Sequence, residues 1–207
     1  PPIAVAELGA QAILWYLRER LPCASPVPDR MWVPHPACST PLHMASFKPG
    51  PGRFKVLCYN VLAEVYATAQ LYHYCPSWAL AWSYRKTKLL REIMSCDADI
   101  VCLQEVEMGQ FDEFFSPELY KAGYSGVFQA KSRHKTMAEF ERPFVDGCAV
   151  FYRNAKFSPL NDTLMEFSQM AMQSPEIHGD SESFSRVMSK DNIAVCVHLE
   201  LRDKPAN

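Results

Sequence analysis

Asn60 and Glu105 stand where two apolar runs stop: the amide closes the run Phe54 to Tyr59, and the carboxylate follows Asp99 to Gln104. If both runs are strands that open onto one rim, the pair forms a polar site on a rigid scaffold. The chemistry open to such a pair is that of a hard divalent cation. Mg²⁺ prefers oxygen ligands, keeps several waters and often takes only one or two protein carboxylates. Glu105 suits that role, and Asn60 can hold a phosphate oxygen or a metal-bound water. A glutamate at a strand end is also at home as a solvated loop residue, and spacing alone leaves both readings open.

The elements between these residues decide whether they meet. An aromatic loop through Tyr66, Tyr72, Tyr74 and Trp78 leads into a helix expected from about Ser77 to Cys96. Its periodicity turns Leu89, Leu90, Ile93 and Met94 inward and Arg85, Lys86, Lys88 and Arg91 mostly outward. Strand, crossover helix and strand make a β-α-β unit, whose strands run parallel and share one carboxyl edge. A helix is expected near Gln110–Ala122, then strands at about Tyr124–Gln129, Gly147–Tyr152, Asp162–Phe167 and Ile193–Leu201. This order reads as a mixed α/β layered fold.

Ahead of this part the pattern changes. Residues 1–21 read as an N-terminal helix, Ile3 to Arg20, with Leu8, Ala12, Leu14 and Trp15 as a rough apolar stripe. Prolines crowd residues 22–52, a linker or wrapping segment in which Trp32 and the run Met31–Val33 suggest docking. Residues 53–207 then form the compact part. The chain opens on Pro1-Pro2 without a methionine, as expected of a segment of something longer.

The net charge of −2 gives no global pull on nucleic acid, so RNA binding has to be local. The eight cysteines include no C-x-x-C pair, which speaks against a zinc ribbon. Cys58 and Cys102 sit in apolar runs as small hydrophobes, and a reduced, intracellular protein is expected. No apolar run approaches the ~18 residues of a membrane span.

Several stretches together carry a resemblance: Phe54 to Asn60, Tyr74-Cys-Pro-Ser-Trp-Ala-Leu-Ala-Trp82, Cys96 to Val106, Val145-Asp-Gly-Cys-Ala-Val-Phe151 and Lys190-Asp-Asn-Ile193. They resemble the catalytic deadenylase subunit of the carbon-catabolite-repression/NOT complex, in register from about Phe54 to Glu200. Tyr-Asn and Leu-Gln-Glu mark the wider endonuclease/exonuclease/phosphatase superfamily, and the Tyr74–Trp82 segment is particular to the deadenylase branch. The resemblance implies the N-terminal half of a four-layer α/β sandwich with helices flanking a mixed sheet. It implies a Mg²⁺-dependent 3′-5′ exoribonuclease acting on poly(A), with Glu105 on the metal and Asn60 supporting the phosphate-metal centre. Glu141 matches a position that contacts the nucleotide; an ion pair with Arg142 is the competing reading. Scaffold proteins of the deadenylase complex and a cytoplasmic location extending to the nucleus are implied with it.

Two further groups invite a binding role. Lys131, Arg133, His134 and Lys135 could track phosphates, but a solvated loop is the preferred reading. Tyr72, Tyr74, Trp78 and Trp82 could stack bases, but core packing is preferred. The six histidines show no ligand spacing.

The resemblance also implies motifs that this chain does not contain, an Asp-x-Asn that ligates metal and activates water, and a closing Asp-His pair. Asp191-Asn192 is adjacent and belongs to another landmark. The expectation is a chain inactive by itself, with a sheet face bearing Val56, Val101 and Val150 left uncovered. A non-catalytic binding module and another phosphoesterase of the superfamily stand as alternatives.

Overall fold

The computed structural model describes residues 2–20, 52–175 and 181–202. The Pro-rich segment, with Trp32 and the Met31–Val33 run, lies outside the described residues apart from its last residue. At the N-terminus the expected helix is two, α1 (Ile3–Ala6) and α2 (Ala10–Arg20), separated at Gly9 by a backbone φ of 90°. Helix geometry does not admit that φ, so the turn ends at the glycine.

The first sheet is built from β1 (Val56–Asn60), β2 (Ile100–Glu107), β3 (Tyr124–Ala130) and β4 (Asp146–Arg153), in the order β1-β2-β4-β3. β1 and β2 are parallel, with Asn60 opposite Gln104, and β4 runs antiparallel to both β2 and β3. The expected β-α-β unit is therefore present, and its crossover carries α3 (Ser77–Leu80) and α4 (Trp82–Ser95). The single helix expected from Ser77 to Cys96 is broken at Ala81, whose ψ of 134° is extended.

One face of the sheet is a packed core. Leu57, Val101, Leu103, Ala149 and Phe151 meet Leu89 and Ile93 of α4 together with Phe115 and Leu119. Phe115 belongs to a π-helical turn (Phe111–Phe115) between α5 (Met108–Gln110) and α6 (Ser116–Lys121). Burying each such large side chain is worth about 1.5–3 kcal/mol, so this face dominates the stability. Met94, expected inward, is 40% exposed.

A second, two-stranded antiparallel sheet of β5 (Phe157–Glu166) and β6 (Ile193–Leu201) touches β3 and β4. Between its strands lie α7 (Phe167–Gln173) and α8 (Ser181–Met188), neither of which the strand-rich reading anticipated. Gln129 Nε2 to Asp162 Oδ2, 3.4 Å, links the two sheets. Of the three residues expected on the uncovered face, Val56 and Val150 share one face and Val101 lies on the other. Val101 is buried against the helices because it alternates with Cys102, and Val150 is half-buried, leaving Val56 56% exposed on the edge strand. Cys58, expected to act as a small hydrophobe, is exposed beside it.

Gly147 explains part of the Val145-Asp-Gly motif. A Cβ there would land on the Gln129 carbonyl oxygen, so β3 and β4 can approach only with glycine at this position.

Candidate active site

β2 continues past the expected stop at Gln104-Glu105 to Glu107 and carries a β-bulge. Gln104 faces Cys148 and Val106 faces Gly147, which leaves Glu105 as the extra residue, at φ 57°. A bulge re-aims a side chain out of the pleat. A left-handed φ at a residue with a Cβ costs on the order of 1–2 kcal/mol, and it persists where neighbours hold it.

The neighbours are clear. Asn60 Nδ2 donates to Glu105 Oε1 at 2.7 Å, and Asn60 Oδ1 accepts from the Leu62 N–H at 2.9 Å. The Ala63 N–H lies 3.4 Å from Glu105 Oε2. Leu62 is also left-handed, at φ 58°, so the chain turns sharply after β1 and wraps round the carboxylate. Asn60 is exposed and Glu105 half-buried, which leaves the pair open to a ligand.

A second tier holds this loop from beneath. Glu107 Oε1 accepts from the Val65 N–H at 2.9 Å, and Oε2 accepts from Gln110 Nε2 at 3.2 Å. Tyr66, at the end of a 3₁₀ turn (Glu64–Tyr66), donates its hydroxyl to Asp146 Oδ1 at 3.0 Å. Asp146 pairs with Lys131 at 2.8 Å and Arg133 at 2.5 Å, while Arg133 also reaches Asp191 at 2.7 Å. Burial pushes the Glu107 carboxyl up, against the pull of the Val65 N–H, and Glu64 and Asp146 add to the rise. Burial alone would raise Asp146 too, but Lys131, Arg133 and Tyr66 hold it below the ordinary carboxylate value. Across one rung of the β2–β4 ladder, the two carboxyls are driven in opposite directions.

The structure thus brings Asn60 and Glu105 together. No hydrogen bond joins Glu141 to either among the described residues. Its carboxylate caps the Ala138 N–H at 3.3 Å, and Arg142 donates to the Met137 carbonyl instead of forming the competing ion pair. The basic cluster is not the solvated loop expected, since Lys131 and Arg133 are tied to Asp146 and Lys135 to Glu166 at 2.8 Å. Acids on neighbouring elements, buried Asp146 and partly exposed Glu166, claim those cations. Nor are the aromatics all core. Tyr74 is 66% and Trp78 37% exposed, although Trp82 does pack on Phe114 and Phe115.

No motif or spacing in the sequence marks Glu107, Asp146, Arg85 or the Leu62–Ala63 turn as part of the site. One signal was available: the apolar residues of β2 step Val101, Leu103, Val106, and the interval of three marks the bulge.

The donor types suit Mg²⁺. Glu105 offers carboxylate oxygens, Asn60 an amide oxygen, and each carboxylate oxygen has a second lone pair beside the one taken by an N–H. Among the described residues no group of three or more His, Cys, Asp or Glu is disposed to hold a metal.

Residues 57–186 match the endonuclease/exonuclease/phosphatase family, and the chain belongs to it. Within that family it is 44% identical over 196 residues to the CCR4-Not complex 3′-5′-exoribonuclease subunit Ccr4 of Mycosarcoma maydis, covering 93% of this chain and 29% of that protein. It is 53% identical over 148 residues to the CCR4-NOT transcription complex subunit 6-like-A of Xenopus laevis, covering 72% of this chain and 26% of that protein. The chain therefore spans less than a third of the length of these relatives. Among solved structures, ANGEL2, a 2′,3′-cyclic phosphatase, matches with a TM-score of 0.56 at 28% identity, over 72% of this chain and 38% of that one. The human Nocturnin catalytic domain matches at 0.50 and 25% identity, over 72% and 44%.

Proposed function

We propose that this chain supplies the Asn60–Glu105 part of the active site of a Mg²⁺-dependent 3′-5′ poly(A)-specific exoribonuclease, an mRNA deadenylase that releases adenylate. The observation that carries the reading is the bulged, left-handed Glu105 held by Asn60 at 2.7 Å and opened to solvent. Strain of that kind is kept where function requires the geometry. The exoribonuclease named among the relatives supports the reaction class.

In this reading Glu105 holds the cation and Asn60 fixes the carboxylate's orientation through Nδ2. A Mg²⁺ ion held there would supply charge compensation for the phosphoryl and leaving oxygens in phosphodiester hydrolysis. Glu141 contacts the nucleotide from its separate position. Exposed Leu14 and Trp15 of α2 offer apolar surface to a scaffold protein of the deadenylase complex, in the cytoplasm and nucleus.

One carboxylate does not both hold a cation and activate water. We therefore expect residues 1–207 alone to release no adenylate from oligo(A), and dye binding to report the edge exposed at Val56. The deciding experiment compares the full-length protein with its Glu105→Gln variant in Mg²⁺-dependent adenylate release. Retained activity in Glu105→Gln would falsify the assignment.

A second reading, a phosphoesterase acting on a 2′,3′-cyclic phosphate, draws on the likeness to ANGEL2. Turnover of a cyclic-phosphate RNA end, with oligo(A) left intact, would favour it.

A further inference from the structure

Arg85 does not point outward with the polar face of α4. Its Nε donates to the Leu80 carbonyl at 2.7 Å, and Nη1 donates to the carbonyls of Val61 at 2.9 Å and Leu62 at 2.8 Å. The guanidinium lies 5.8 Å from the centre of the Trp82 ring. Among the described residues, buried Nη2 has no hydrogen-bond partner and Arg85 forms no ion pair. Burial weakens its hold on the proton, and Glu64 and Glu107 counter that only at a distance.

For stability alone this is a poor use of an arginine. A half-buried cation loses hydration, and without an ion-pair partner and with one N–H unsatisfied it recovers little of that loss. A methionine could cover Trp82 without the penalty. The reason for a guanidinium lies in what its N–H groups grip.

They grip the turn that wraps Glu105. The peptide unit between Leu62 and Ala63 is shared: its carbonyl accepts from Arg85, and its N–H faces Glu105 Oε2 at 3.4 Å. A peptide is planar, so fixing the carbonyl fixes the direction of the N–H. One residue earlier, the Val61 carbonyl accepts from the same Nη1, while the Leu62 N–H bonds Asn60 Oδ1 at 2.9 Å. Two successive carbonyls thus turn to the cation and two successive N–H groups turn to the site. Leu62 at φ 58° is the conformation that produces this, and leucine does not adopt it unrestrained. A charged donor on the carbonyl also polarises the peptide and strengthens its N–H as a donor.

We propose that Arg85 is a positioning residue for the site: by holding the Val61 and Leu62 carbonyls, it keeps Leu62 left-handed and the turn's N–H groups on Asn60 and Glu105. The inference rests on the reading of Glu105 as the cation-holding carboxylate.

The test uses the full-length protein with Arg85→Ala and Arg85→Lys, and pairs hydrogen exchange of the backbone over 61–66 with Mg²⁺-dependent kinetics. In Arg85→Ala, exchange over 61–66 speeds up while the helix at 116–121 is unchanged. The Mg²⁺ needed for half-maximal release rises, or kcat falls, by about 10–100-fold, with KM for oligo(A) unchanged. Millimolar methylguanidinium restores part of the loss. Arg85→Lys, which keeps charge without the planar fork, shows the same changes in smaller measure and serves if Arg85→Ala does not fold. Unaltered exchange over 61–66 overturns the proposal, as does faster exchange with wild-type Mg²⁺ dependence and kcat. Activity surviving in Glu105→Gln would instead remove the reading of Glu105, while the exchange data still judge the grip of Arg85.

Discussion

Asn60 Nδ2 and Glu105 Oε1 lie 2.7 Å apart although 45 positions separate the residues in sequence. Parallel pairing of β1 with β2 sets Asn60 opposite Gln104, and the bulge turns Glu105 towards Asn60. The contact couples the Asn60 amide to the Glu105 carboxylate, so a change in one disturbs the other.

That coupling predicts non-additive kinetics. In the full-length protein, Asn60→Ala and Glu105→Gln each lower adenylate release by at least about 100-fold, and the double variant is little worse than Glu105→Gln. Their thermal transitions stay close to wild type, because partly exposed site residues contribute little to folding. Simple multiplication of the two losses in a double-mutant cycle would contradict the coupling.

The turn at Leu62 reverses the usual order of two substitutions. Glycine ordinarily costs roughly 0.5–1 kcal/mol more than alanine in regular structure. At φ 58° glycine is unstrained and alanine is not, so Leu62→Gly should be the more stable of the two variants. Urea melts of both decide it, and a less stable Leu62→Gly would argue against a left-handed turn.

Asp146 should set an acid limb of stability. Its folded-state pKa is depressed below 3.8, so the folded protein releases this proton more readily than the unfolded chain. The contribution is fully present above the ordinary carboxylate value and disappears as pH falls through the lowered one. Glu107, with a raised pKa, works in the opposite sense and gains as pH falls. Asp146→Asn should cost about 3–5 kcal/mol at neutral pH, because Lys131 and Arg133 lose their buried partner. Its cost should shrink as pH falls below the ordinary carboxylate value and through the lowered one. A loss independent of pH would mean that packing, rather than charge, explains Asp146.

Gly147→Ala drives a methyl into the Gln129 backbone carbonyl, which cannot move without breaking the β3–β4 ladder. A loss of about 3 kcal/mol or more is expected, larger than for ordinary overpacking. Circular dichroism melts measure it, and near-wild-type stability would show that the strands have room to part.

The sequence determined the local elements by itself. Apolar runs bounded by Asn60 and by Gln104-Glu105, with a 3.6-residue stripe between them, require a strand, a helix and a strand, and that unit fixes parallel pairing and a shared rim. Only the tertiary structure decided the rest. The bulge arises because β4 pairs two of its residues against three of β2, which depends on a partner about 40 positions away. Lys131 and Arg133 looked like a solvated run because a basic residue shows no sign in sequence of the buried acid it will meet. Arg85 occupies an outward phase of its helix by periodicity, yet the break at Ala81 and the wrapped turn at Leu62 place carbonyls within reach of its long side chain. Periodicity reports which face of an element is apolar; it carries no record of which backbone groups a neighbouring loop leaves to be bonded.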